Sequence, residues 1–295
     1  MEKFDAIVVG GGIFGCYAAL HLAAKGARVA LLEKEERLFQ KASLVNQARL
    51  HGGYHYPRSI ATAALSDQHK ERFTAEHRDF IHFSFEKYYA IDRFGSFTDP
   101  RQFERFCEYL KLPCKRIREH PLFNFNRLEA VYKTVEYSFD PVLLREYYRS
   151  KVEQHPSIQV RVSTEIQQVN QLGGTWILAL KNSGGQIQSP VVINATYAAT
   201  NALNRLFGLG KLDLTHEISE IAFINSSQFQ NMGLTVMDGP FGSIMPYGRS
   251  GLLSLSSVAY THHKISFDEV PTFDCQIEND PSCRPEAPGI CTDCA

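Results

Sequence analysis

Three groups of residues in this 295-residue chain have types and spacings that suit chemistry. The first is Gly10-Gly11-Gly12-Ile13-Phe14-Gly15, a match to G-x-G-x-x-G, followed about 20 residues later by Glu33 and Lys34. Gly10 permits a tight turn, Gly12 lets backbone approach a diphosphate with no Cβ in the way, and Gly15 allows close packing of a helix on a strand. Amide groups and the dipole at a helix start favour the anion. A carboxylate at Glu33 can accept from ribose hydroxyls and would repel a 2′-phosphate, which argues against NADP. The second group is His51 and His55 in a glycine-rich loop, with Arg49 just before them. An imidazole can take a proton near neutral pH, and a cation can stabilise developing negative charge. The third is Cys275, Cys283, Cys291 and Cys294, spaced C-x7-C-x7-C-x2-C. They supply the four donors of a thiolate zinc site, with free thiols in a solvated tail as the alternative.

The elements that must position these groups are legible in outline. Phe4 to Val9 is a short apolar run that ends in the glycines, as a buried parallel strand ends in a turn. Ile13, Tyr17, Leu20 and Ala24 share one face of a helix that Gly26 can stop, and Arg28 to Glu33 reads as a second strand. Together they make one βαβ unit. Glu35 to Ala64 reads as mostly loop, Ile60 to Tyr89 as a long polar helix, and Phe97 to Leu110 as a helix packed on a sheet. Tyr132 to Phe139 reads as a strand and Pro141 to Glu153 as a helix. Strands are expected at 158–162, 176–180, 186–188 and 191–195, with a turn at Asn182-Ser-Gly-Gly. Four segments between Ser219 and Tyr260 suggest an antiparallel sheet.

The dinucleotide fingerprint alone does not separate NAD from FAD. It occurs once: Gly208-Leu-Gly210 lacks a third glycine. A flavin reduced directly by substrate needs no second nucleotide site, and the loop-rich stretch after Glu33 fits an ordinary NAD-linked sheet poorly. The segment Asn46-Gln-Ala-Arg-Leu-His51-Gly-Gly-Tyr-His55-Tyr-Pro-Arg58, taken with the fingerprint, resembles the FAD-dependent oxidoreductases of the D-amino-acid oxidase superfamily, nearest to its glycine oxidase and 2-hydroxyglutarate dehydrogenase branches. The resemblance implies that this loop runs along the flavin pyrophosphate, bringing Ser43 and Asn46 to the cofactor. It implies that Glu165-Ile166 touches adenine through its backbone and that Ala195-Thr196 closes a later strand on the adenosine. It also implies a further glycine-rich closing segment; here the chain runs into the Cys-rich tail, so it is expected to be short at that end.

The expected fold is α/β: a discontinuous Rossmann-like FAD-binding domain (1–84 and 142–205) and a mostly antiparallel α+β substrate domain (85–141 and 206–265), lying over the flavin as the resemblance implies. A Cys-rich tail covers 266–295. The expected activity is dehydrogenation of a small amino acid or 2-hydroxy acid by hydride transfer to flavin N5, with oxygen or a quinone as electron acceptor. His51, His55 and Arg49 are the catalytic candidates. Arg58, Tyr247 and Arg249 are candidates for the substrate, an arginine suiting a carboxylate. The second reading is a nucleotide-binding protein with impaired turnover. Each residue also has a structural alternative: a packed histidine, a solvated arginine, an ordinary loop cap. A net charge of -1 and pI near 6.8 give no footprint for nucleic acid. No apolar run approaches the roughly 20 residues of a membrane span and no secretory leader is visible, so a cytoplasmic protein is expected.

Overall fold

A computed structural model describes residues 1–181 and 185–273. The four tail cysteines, and most of the expected turn at 182–185, lie outside the described residues. The chain divides into two compact units. The first comprises Met1–Val45, Val142–Glu217 and the described residues from Ile265; the second comprises Asn46–Pro141 and Ile218–Lys264.

The first unit is built on a parallel sheet in which Ala6–Val9 lies between Val29–Leu32 and Val192–Asn194, with Ile158–Arg161 on the far side of Val29–Leu32. Ile7, Ala30 and Leu32 share one face, alternating as strand residues do. With Phe4, Leu178, Leu180 and Ile187 they form the core against a second, four-stranded sheet. That sheet holds Glu2–Lys3, Gln186–Ser189, Thr175–Leu180 and Ile166–Leu172. The helix Ile13–Ala24 packs on Ala6–Val9 and Val29–Leu32, but not through the face expected. Gly15, Cys16, Ala19 and Ala23 are buried, while Ile13, Tyr17 and Leu20 are only half-buried and Ala24 is exposed. Close approach of the helix to the strands favours the small side chains, so the larger apolar positions turn aside.

The second unit is centred on a seven-stranded sheet ordered Ala222–Ile224, Leu253–Ser257, Gly242–Pro246, Met232–Val236, Glu86–Asp92, Leu128–Thr134 and Cys114–Ile117. All its pairings are antiparallel except that of Met232–Val236 with Glu86–Asp92. Helix Pro100–Leu110 starts in a capping box between Asp99 and Gln102 and buries Phe103, Phe106 and Cys107. Those side chains meet Tyr54, Tyr89, Ile91 and Tyr132 in one cluster.

Three elements differ from the sequence reading. The polar helix stops at Glu76, because Ile81–His82 and Glu86–Asp92 are strands. Six consecutive residues of Glu86–Asp92 are buried, so the strand has no alternation to reveal it. Tyr132 to Phe139 is two strands, Leu128–Thr134 and Tyr137–Phe139, in different sheets. Residues 46–84 group with the second unit, since Arg49–Leu50 and Ile81–His82 both pair with Tyr137–Phe139. Among the described residues no helix is long and apolar enough to cross a membrane.

Candidate functional site

In the first unit the glycine turn is shaped by contacts that only glycine tolerates. Gly10 has φ +105, and a Cβ there would lie 2.4 Å from the Ala195 carbonyl oxygen. A Cβ on Gly15 would fall 1.8 Å from the Gly10 carbonyl oxygen, so the helix meets the strand backbone directly. Gly12 is the N-cap of helix Ile13–Ala24 and supplies no side-chain cap. A Cβ on it would meet only the Ser43 hydroxyl, at 2.9 Å. The helix has no acidic residue in its first turn, and Phe14 stands exposed there.

Glu33 closes this turn. Its Oε2 accepts from Gly11 N at 2.6 Å and its Oε1 from Glu35 N at 2.9 Å. A carboxylate has about four lone-pair sites, so both oxygens keep capacity for hydroxyl donors. Ser43 Oγ accepts from Ile13 N at 2.9 Å. Thr164 N donates to the Glu33 carbonyl at 2.8 Å, bringing the segment before Glu165 alongside. Ala195 N donates to Val9 O at 2.8 Å, and Thr196 is tied to Asn194 through backbone and hydroxyl. Gly10, Gly12, Ile13, Gly15, Glu33, Ser43 and Ala195 are thus assembled around one helix start, with Thr196 next to Ala195 in chain. Glycines at the helix start, a carboxylate at the turn, and a helix with no acidic first turn whose first amide is held by the Ser43 hydroxyl fit the ADP half of a dinucleotide. Lys34 is engaged otherwise, exposed and paired with Glu35 at 3.8 Å, while the Ile166 side chain packs on the core, which leaves the expected backbone contact of Glu165-Ile166 untouched. Glu165 is exposed and pairs with Lys181 at 3.3 Å. Asn46 belongs to the other unit, where its Oδ1 accepts from Ala48 N at 2.7 Å as a loop cap.

In the second unit Arg49 is not a solvated arginine. It lies in a buried charge cluster with Lys87 and Glu136, whose side chains are at most 1 % exposed. Strand pairing places it: Arg49–Leu50 runs against Tyr137–Phe139, directly after Glu136. Tyr89 OH donates to both oxygens of Glu136, at 3.1 and 3.0 Å. Lys87 Nζ lies 3.7 Å from Glu136 and donates to Thr235 Oγ1 at 2.5 Å; Arg49 Nη2 donates to Ser243 Oγ. Arg49 Nε and His51 Nδ1 each stand 3.9 Å from a Glu136 oxygen, and both are buried without a hydrogen-bond partner. His51 and His55 are adjacent, ring centroids 5.6 Å apart, with Tyr56 beside both.

These surroundings set the protonation states. Burial pushes His51 down to about 4, Arg49 and Lys87 acting with it and Glu136 against it. His55 is exposed as a residue, yet desolvation by the surrounding protein, then the Arg49 guanidinium, pushes it down to about 4. Burial, then Arg49, drives Lys87 well below the ordinary lysine value. Burial works to raise Glu136, but Arg49 and Lys87 outweigh it and hold the carboxylate below its normal range. At neutral pH the cluster holds an ionised carboxylate facing the Arg49 guanidinium and a lysine pushed towards its neutral amine, with two uncharged imidazoles beside them.

The three substrate candidates have structural partners. Arg58 Nε pairs with Asp238 at 2.9 Å and its guanidinium lies over the Phe97 ring. Tyr247 is buried against Phe223, and Arg249 donates to the Ile81 carbonyl and to Asp140. Sequence reasoning missed Lys87, Tyr89, Glu136, Thr235 and Ser243. The available signal was a lysine leading a run of aromatic and aliphatic residues, where a charge has no place unless paired. Among the described residues no group of three or more His, Cys, Asp or Glu could hold a metal.

Comparison with known proteins bears on the family and the fold. An FAD-dependent monooxygenase of Aspergillus flavus, kojA, is 28% identical over 250 residues, 81% of this chain and 57% of that protein. The FAD-dependent monooxygenase FPY4 of Fusarium mangiferae is 38% identical over 92 residues, 31% of this chain and 25% of that protein. The matches therefore span well under two thirds of these curated relatives. Among solved structures, glycine oxidase from Geobacillus kaustophilus aligns over 87% of this chain and 71% of its own, with TM-score 0.69 at 15% identity. An FAD-bound L-α-glycerophosphate oxidase from Mycoplasma pneumoniae aligns over 95% and 78%, with TM-score 0.69 at 18% identity. At those identities the likeness is one of fold. The family model for DAO, FAD dependent oxidoreductase, matches residues 5–255, and the chain belongs to that family.

Proposed function

We propose that this chain dehydrogenates a small amino acid or 2-hydroxy acid, with His51 receiving the proton of the substrate N–H or O–H. The observation that carries the reading is an uncharged imidazole at the mouth of a buried, carboxylate-bearing cluster. FAD, when bound, supplies the hydride acceptor. Gly10, Gly12, Gly15 and Glu33 would hold its ADP half through backbone amides and ribose hydroxyls, with Ser43 ordering the first amide of the helix. His51 would take the proton at Nε2. The Arg49 guanidinium, 3.3 Å from His55 Nδ1, would favour substrates that carry or develop negative charge. Oxygen or a quinone would reoxidise the cofactor.

The test is an absorbance titration under anaerobic conditions. Purified protein should be yellow, and a panel of amino and 2-hydroxy acids should contain members that bleach it within mixing time. Protein that binds FAD and is bleached by none of them would leave the binding function and remove the dehydrogenase. The kojA resemblance favours a second reading, oxygen insertion. It predicts that 18O from labelled oxygen appears in the organic product; a simple dehydrogenase leaves that label in peroxide or water.

A further inference from the structure

Glu136 has spare accepting capacity pointed at an imidazole. Among the described residues only Tyr89 donates to it within 3.5 Å, with Lys87 Nζ next at 3.7 Å, while a carboxylate offers about four acceptor sites. His51 Nδ1 faces it at 3.9 Å, sealed from solvent and without a partner, although 35% of the His51 side chain is exposed. A neutral imidazole carries one proton on one of two nitrogens. If Nδ1 carried the lone pair, a buried acceptor would face carboxylate oxygens that also only accept. With the proton on Nδ1, an N–H faces the carboxylate and a shift of about 1 Å closes a charge-assisted hydrogen bond. His55 is forced the other way. Its Nδ1 lies 3.3 Å from Arg49 Nη1, and a guanidinium only donates, so that nitrogen accepts and the proton sits on Nε2.

We propose that Glu136 is a positioning residue that fixes His51 in its Nδ1-protonated tautomer, leaving Nε2 as the nitrogen that receives the substrate proton. This rests on the reading of His51 as the proton acceptor. In the step, the substrate N–H or O–H bond breaks and the proton joins Nε2; the Nδ1 proton stays on the ring, and Glu136 stays ionised opposite the imidazolium. A carboxylate that orients an imidazole and stabilises its cation is a known device in proton-transferring sites. The two neighbouring imidazoles hold opposite tautomers, each dictated by a different charged partner.

Long-range 1H–15N correlation of histidine-labelled holoprotein at neutral pH tests this directly, with His51→Asn and His55→Asn supplying assignments. The expected result is a pyrrole-type Nδ1 and pyridine-type Nε2 for His51, and the reverse for His55. Glu136→Gln, which keeps an accepting oxygen, should preserve the His51 pattern. Glu136→Leu should return it to the Nε2–H form usual in water. A wild-type His51 protonated on Nε2 overturns the proposal, and so does a Glu136→Leu protein that keeps Nδ1–H. The wild-type spectrum decides even if Glu136→Leu fails to fold. If the tautomer is as expected but His51→Asn is bleached by substrate as fast as wild type, the proton-acceptor reading fails while the Glu136 contact stands.

Discussion

Arg49 Nε lies 3.9 Å from Glu136 Oε2, and neither side chain reaches solvent. With Lys87 on the same carboxylate, the cluster has two potential cations and one anion, so its members are not equivalent. Lys87 can shed its charge, since burial and Arg49 favour its neutral amine. Glu136→Leu would leave a guanidinium buried without a counter-charge and should cost about 3–5 kcal/mol of folding stability. Lys87→Met leaves the Arg49–Glu136 pair intact and should cost far less. Urea unfolding of both variants checks the order; equal losses would mean that Lys87 is charged in the folded protein.

His51 makes stability depend on acid. Its folded value of about 4 lies below its ordinary value of 6.5. Between those two pH values the unfolded chain binds a proton there that the folded chain refuses, so stability falls as pH drops from 6.5 towards 4. His82, lowered by burial and Arg249, adds in the same direction. The urea midpoint should decline across this window, and His51→Asn should flatten part of the decline.

Gly10 and Gly26 both have positive φ, +105 and +88, but only Gly10 abuts backbone. Gly26→Ala should cost about 1 kcal/mol for the left-handed conformation alone. Gly10→Ala adds a contact 2.4 Å from the Ala195 carbonyl oxygen and should cost about 3 kcal/mol or more, with loss of bound flavin. Thermal melts with and without added FAD separate the two effects.

Glu33 serves the turn through Gly11 N and, on the proposed reading, the ribose. Removing an acceptor of that kind costs about 1.5–3 kcal/mol. Glu33→Ala should therefore weaken FAD binding by about 10- to 100-fold, measured by equilibrium dialysis. An unchanged affinity would show that this carboxylate only braces the loop.

The nucleotide turn was legible in sequence because its physics is local. A strand, three glycines, a helix start and a carboxylate follow within a short stretch, and each residue type answers one geometric demand. The buried cluster was only half legible. His51, His55 and Arg49 sit in one recognisable loop, but Glu136 and Lys87 reach them through strand pairing from distant positions. Lys87 reads as the solvated end of a polar helix until Glu86–Asp92 is seen as a strand buried on both faces. Glu136 lies in the short break between two strands that the sequence presents as one. Arg58 and Arg249 show the converse: arginine suits a carboxylate substrate, yet here one pairs with Asp238 and the other holds backbone at Ile81.

The wall behind Gly10 is the Ala195 carbonyl, and the strand beside Ala6–Val9 is Val192–Asn194. During synthesis, then, the fingerprint emerges from the ribosome well before Ala195 and lacks its backing until that residue follows. Throughout that interval Ala6–Val9 presents a bare apolar strand edge, a natural target for chaperones and for wrong partners. Newly made protein should acquire its cofactor only once Ala195 has been translated, long after the motif itself.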